Sequence, residues 1–170
     1  VFASSSCGLC GATSIQSVRR QFPPLTSAPR VSTETLIALP DRLRKSQTEF
    51  SRTGGLHAAG LFDGSGRLLA VREDVGRHNA VDKVVGYALL NGLVADVLVV
   101  SGRAGFEIVQ KAAMAGIPIV ASVSAATSLS VDVALACNLT LAGFVRDGRL
   151  TVYSSVDRII VPSSSQAVNG

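Results

Sequence analysis

Cys7-Gly8-Leu9-Cys10 sets two thiols one helical turn apart, close enough for both sulfurs to act on one small object. That object can be a metal ion, the other thiol, or a carried sulfur atom. Neighbouring thiolates repel, so the pair needs a positive charge or a helix start beside it. Ile15, Val18 and Phe22 follow at helical spacing and predict a helix over residues 12–21, with Cys10 at its N-terminus. A cysteine there titrates at about 3.5–7.5 instead of about 8.5, because the first-turn amides favour the thiolate. The pair reads as reactive.

The residue types available elsewhere narrow the reaction. A zinc site built from Cys7, Cys10 and the histidines lacks the second paired motif that completes a tetrahedron. A zinc deaminase needs His-x-Glu and Pro-Cys-x-x-Cys at helix starts. Here the corresponding stretches read His78-Asn79-Ala80 and Ser101-Gly102-Arg103, which excludes metal-assisted deamination, and no resident metal is expected. A dithiol/disulfide oxidoreductase stays open, although Ser4-Ser5-Ser6 is not the strand that precedes the motif in thioredoxin-like chains. So does a non-enzymatic nucleotide- or protein-binding module with incidental cysteines. Cys137 lies in an apolar helical run with Val133 and Ala134 and reads as a small buried hydrophobe.

The elements that must position these groups form one domain of 170 residues, 47% hydrophobic and 16% charged, which excludes disorder. Three cysteines make no disulfide framework and fit a reducing, cytoplasmic setting. The first residue is Val1, which reads as a fragment with upstream chain missing, and nothing at the start resembles a signal peptide. Residues 112–131 are uncharged, but Gly116, Pro118 and five hydroxyl residues fit a buried strand and loop better than a membrane span. The net charge of +4 sits wholly before Thr53, with Arg42, Arg44 and Lys45 on one helix. Such a basic face suits an anionic ligand or an acidic partner, or is simply solvated surface. Six Phe, two Tyr and no Trp leave few platforms for stacking bases, so nucleic acid is not expected.

From Thr53 onward, periodicity predicts strands at 56–62, 67–71, 94–100, 117–123, 139–146 and 150–153. Helices are predicted at 79–90, 106–115 and 129–137. The chain divides into a cysteine-motif and basic helical segment (1–52), an α/β core (53–162) and a disordered tail (163–170). Alternation of buried strands and helices implies a layered α/β sheet with ligands at the strand C-terminal ends. Polar residues collect there: the run from Arg72 to Asn79, which holds Arg77 and His78; the run from Ser101 to Glu107, which holds Arg103; and Ser122, Ser124, Thr127 and Ser128. Each leads into a helix whose first amides favour anions. Helix capping alone is the preferred account of the hydroxyl residues, whereas ion pairs among Glu73, Asp74, Arg77 and Arg103 are the lesser account of the charges. His57 reads as a structural imidazole and His78 as the better functional candidate.

Several of these stretches resemble the FdhD family of formate dehydrogenase accessory sulfurtransferases. They are Ser6 to Gly11, Thr53-Gly54-Gly55-Leu56-His57-Ala58-Ala59, the run from Glu73 to Lys83, Ser101-Gly102-Arg103, Phe106-Glu107 with Lys111, and the loop from Ser122 to Thr127. Gly105 departs from the serine usual in that family. The resemblance implies a three-layer α/β/α, cytidine-deaminase-like fold with a central mixed sheet, and an upstream segment absent from this chain. It implies that a cysteine desulfurase loads sulfur as a persulfide, which is passed to the Mo-bis(molybdopterin guanine dinucleotide) cofactor of formate dehydrogenase. Cys7 is then the expected carrier and Cys10 the relay. The resemblance also places cofactor binding at Phe144, Val145, Arg146, Asp147, Gly148 and Arg149, where two arginines flank a tight turn. Arg77, His78, Arg103, Ser124 and Thr127 are expected to join them around the guanine nucleotide part, and a homodimer is compatible with the family. The rival readings become a dithiol oxidoreductase and a guanine-nucleotide-binding module.

Overall fold

A computed structural model of the chain describes residues 16–17, 20–47 and 55–162. The expectations for Cys7, Cys10 and residues 163–170 lie outside the described residues.

Strands and helices follow one another in a layered order. Strand β1 (Val31–Ser32) leads directly into helix α1 (Thr33–Ser46). Ser32 caps that helix by accepting from the Thr35 amide at 3.1 Å, and Leu36, Leu39 and Leu43 bury its apolar stripe. Then come β2 (His57–Phe62), β3 (Leu68–Asp74), α2 (Arg77–Leu90), β4 (Val97–Val100), α3 (Phe106–Met114), β5 (Ile119–Ser122), α4 (Ser128–Ala136), β6 (Thr140–Arg146) and β7 (Arg149–Val152). A 3-10 turn (Val156–Arg158) and β8 (Ile159–Ile160), which pairs parallel with β1, close the described chain.

The main sheet is mixed, in the order β3-β2-β4-β5-β6-β7. The central strands β4, β5 and β6 run parallel, and β2, β3 and β7 are antiparallel to their neighbours. Alternating side chains feed two cores. Leu61, Leu98, Val120 and Leu141 face helices α2, α3 and α4. Phe62, Val97, Ile119 and Val145 face α1 on the other side. This is the expected α/β/α sandwich with a mixed central sheet. Helix α1 therefore closes the second face of the core, and its Arg42 donates to the Gly66 carbonyl in the turn between β2 and β3.

Several element limits differ from the sequence reading, each for a local reason. Strand β3 runs on to Asp74 because β2 pairs it as far as His57, so Arg72, Glu73 and Asp74 are strand residues. Helix α2 starts at Arg77, which puts Arg77 and His78 in its first turn. Strand β4 begins only at Val97: Val94 is exposed, and Asp96 precedes the strand, its carboxylate accepting from the Gly64 amide at 2.8 Å and its own amide donating to the Phe62 carbonyl at 3.0 Å. The uncharged stretch 112–131 is divided among the end of α3, β5, the start of α4 and the loops between them, and no described helix is long and apolar enough to cross a membrane.

Candidate functional site

The pairings bring every described candidate to one edge of the sheet. Asp74 at the end of β3 lies opposite His57 at the start of β2, and Val100 at the end of β4 lies opposite both Ala59 and Ser122. Because β6 runs parallel to β5, its C-terminal turn into β7 joins the same edge. Two groups of side chains form there, one over β3, β2 and β4, the other at the β6–β7 tip.

The first group surrounds the loop after β4. Ser101 Oγ accepts from the Ala58 amide at 2.9 Å, and buried Ser122 Oγ donates to the Gly102 carbonyl at 2.7 Å, so the loop is fixed from both sides. A Cβ on Gly102 would stand 3.2 Å from His57 Nδ1 and 3.8 Å from Arg77 Cδ, which shows how closely both side chains pack on that glycine. His78 Nε2 is shielded from solvent and lies 3.4 Å from Glu107 Oε2, inside ion-pair range but without an aligned hydrogen bond. Neither α2 nor α3 has a side-chain cap at its N-terminus, since Gly76 and Gly105 occupy those positions.

Asp74 organises the approach to α2. Its Oδ1 accepts from the Gly76 amide at 2.9 Å and from Asn79 Nδ2 at 3.2 Å, while Oδ2 meets Lys83 Nζ at 2.6 Å. The Lys83 ammonium is the main reason its carboxyl titrates at about 2, with the Gly76 and Asn79 donors adding to it. The expected ion pairs of Glu73 and Asp74 with arginine do not form, because Lys83, one helical face along, takes Asp74. Among the described residues Arg77 and Arg103 have no carboxylate within ion-pair distance.

The second group is built by an irregular hairpin. Asp147 and Gly148 both have positive φ, 52° and 71°, which is the two-residue turn that matches strand twist and that glycine adopts without strain. Three residues earlier Phe144 also has φ 51°, and the β6–β7 register shifts between Gly143 and Arg146. This bulge lets the Phe144 amide donate to the Ser124 carbonyl at 3.0 Å. The Phe144 ring is left 39% exposed, with the Arg146 guanidinium 5.6 Å from its centre. Phe144, Arg146, Asp147, Arg149, Leu150 and Thr151 line an open cavity of about 600 Å³. A smaller one of about 220 Å³ adjoins the tip, between it and Ile37, Pro40, Asp41 and Arg44 of α1.

The sequence-predicted residues thus divide. Phe144, Arg146, Asp147 and Arg149 share the large cavity; Val145 is fully buried and anchors the hairpin to the α1 side of the core; Gly148 makes the turn. Ser124 contributes its backbone carbonyl to Phe144. Thr127 is a helix cap, accepting from the Ser130 amide at 3.1 Å, so the capping account holds for it. Arg77 and His78 belong to the first group, and Arg103 is exposed on the loop between β4 and α3. Two inter-strand steps of about 4.8 Å separate β4 from β6, so the two groups are neighbours and not one pocket. Glu73, on edge strand β3, sits at the opposite side of the sheet from the hairpin. Arg44 was not singled out for this site; the signal was the spacing of Ile37, Pro40, Asp41 and Arg44, one stripe of α1. Among the described residues no group of three or more His, Cys, Asp or Glu is placed to hold a metal.

A layered α/β protein with arginine-rich loops along one sheet edge is the class that fold and site define. Comparison with known proteins makes it specific. The FdhD/NarQ family profile matches residues 1–160. The sulfur carrier protein FdhD of Streptomyces coelicolor is 56% identical over 165 residues, covering 94% of this chain and 58% of that protein. The one from Thermoplasma acidophilum is 52% identical over 159 residues, covering 92% and 56%. A crystal structure of a protein described as a formate dehydrogenase accessory protein, from Desulfotalea psychrophila, superposes with a TM-score of 0.74 at 33% identity, covering 82% of this chain and 60% of that one. The chain belongs to the FdhD/NarQ family, and it spans about three-fifths of the length of these relatives.

Proposed function

We propose that the chain is a sulfur carrier that serves formate dehydrogenase: it accepts sulfur on Cys7 as a persulfide and delivers it to the Mo-bis(molybdopterin guanine dinucleotide) cofactor held at the β6–β7 hairpin. The observation that carries the ligand half is the hairpin itself. Arg146 and Arg149 stand beside a 600 Å³ cavity with no carboxylate of the described residues within ion-pair distance, and Phe144 offers an aromatic face in the same cavity. Exposed, unpaired guanidinium groups are the donors that bind phosphate bidentately, and Asp147 supplies the acceptor that guanine N–H groups need. The sulfur half is supported by family membership and by the Cys7-Gly8-Leu9-Cys10 spacing.

The transfer balances without an external oxidant. The Cys7 thiolate attacks the outer sulfur of a protonated persulfide on a cysteine desulfurase; a new S–S bond forms as the old one breaks, the desulfurase sulfur leaves as the thiolate with the bonding pair, and the proton stays on the transferred sulfur. Cys10 accepts or releases the sulfur in the same way. The test is sulfur relay by Cys7→Ala with a desulfurase, cysteine and the dehydrogenase as readout. Loss of activation with guanine-nucleotide binding retained supports the reading, and activation at the parental rate overturns it.

A further inference from the structure

Two cavities meet at the β6–β7 tip, and Arg146 and Asp147 line both. The two spaces differ in kind. The larger has the Phe144 ring and, at about 600 Å³, the volume of a whole small-molecule site. The smaller, at about 220 Å³, falls below that range and has room for a group instead of a whole nucleotide. It brings Arg44 of α1 toward Arg146, although about a hundred residues separate them in the chain. Arg44 Nη1 lies 3.3 Å from Asp41 Oδ1, and both side chains are about two-thirds exposed, so this contact is readily exchanged for a stronger anion. Gly148 lines the smaller cavity and leaves it open at the turn, where a Cβ would meet nothing within 4 Å.

We infer that the nucleotide straddles the hairpin: its base lies in the larger cavity against Phe144, and its phosphates cross at Gly148 into the smaller one, where Arg146 and Arg44 hold them. Arg44 is then the residue that selects a nucleoside diphosphate over a nucleoside. This rests on the hairpin being the nucleotide site, as proposed above, and adds a second cavity and a residue from the other face of the sheet. The charged groups facing the smaller cavity are Arg44, Arg146, Asp41 and Asp147. Asp41 opposes a phosphate while Arg44 attracts it, so the two substitutions have opposite signs.

Calorimetry with guanosine, GMP and GDP on the chain and on Arg44→Gln and Asp41→Asn separates the possibilities. Arg44→Gln weakens GDP about tenfold, as loss of one charge-assisted hydrogen bond does, and leaves guanosine unchanged. Asp41→Asn tightens GDP and leaves guanosine unchanged. Equal weakening of all three ligands by Arg44→Gln, or no change with GDP, overturns the assignment of the phosphates while the hairpin site stands. Failure of the unsubstituted chain to bind any of the three overturns the hairpin site and this inference together.

Discussion

Arg158→Met is expected to be among the most destabilising single substitutions outside the apolar core. Arg158 is 4% exposed and no described carboxylate lies within ion-pair distance. Its Nε donates to the Ser27 carbonyl at 2.9 Å; Nη1 donates to the Asn138 carbonyl at 2.6 Å and to Thr140 Oγ1 at 3.2 Å; Nη2 reaches the Leu25 carbonyl at 3.4 Å. Burial pushes the guanidinium downward from its ordinary pKa and nearby Asp157 pulls it partly back, yet it stays charged. The side chain thus ties residues 25–27, which follow the cysteine segment, to the start of β6. Methionine fills the space but leaves the Ser27 and Asn138 carbonyls without this donor. Ser27 and Asn138 are exposed residues whose carbonyls regain part of their bonding from water, so each lost bond costs about 0.5–1.5 kcal/mol, for a total of about 1–3 kcal/mol, less what is regained by no longer burying a cation. Leu25 is held independently, because its carbonyl also accepts from Asn138 Nδ2 at 2.8 Å and its amide donates to the Cys137 carbonyl at 2.9 Å. Urea unfolding gives the magnitude, and hydrogen exchange across residues 22–30 gives the location. A loss below about 0.5 kcal/mol, the range of ordinary surface substitutions, would refute the argument.

Three further outcomes follow from the same structure. Asp74, with its carboxyl lowered to about 2 chiefly by Lys83, contributes stability that is present above the ordinary value of 3.8 and is lost as pH falls through about 2; Asp74→Asn removes that slope from an acid-unfolding series. Gly143→Ala puts a Cβ 2.9 Å from Tyr153 Cε2 and 3.2 Å from the Ser124 carbonyl, so it costs about 1–3 kcal/mol by overpacking and, by displacing the Phe144 bulge, weakens nucleotide binding; unchanged melting and binding would contradict this. Cys137 is fully buried and burial pushes its thiol up, so it labels only on unfolding, and rapid modification in the native protein would show the core to be wrongly described.

Sequence patterns made the layered core legible because buried strands announce themselves locally. Strands β4 and β5 are apolar runs closed by turn residues, and α3 ends where Gly116 takes φ 73°. The Asp147-Gly148 turn was equally plain. What stayed hidden depends on contacts between distant segments. The β1–β8 pair has two residues a side and no periodicity to detect. Arg158, beside Ile159 and Ile160, looks like a surface charge until the carbonyls of Leu25, Ser27 and Asn138 converge on it. The Phe144 bulge leaves no compositional trace, because its cause is the Ser124 carbonyl on another strand's loop. Arg44 was visible as part of a basic helix, but its place opposite Arg146 follows only from α1 packing across the second face of the sheet.

The central claim, that this chain carries sulfur on Cys7, is tested most directly by intact-protein mass spectrometry after incubation with a cysteine desulfurase and cysteine. The account predicts a gain of the mass of one sulfur atom, removed by reductant, abolished in Cys7→Ala and retained in Cys137→Ala. No gain in the unsubstituted chain, or an undiminished gain in Cys7→Ala, would contradict it.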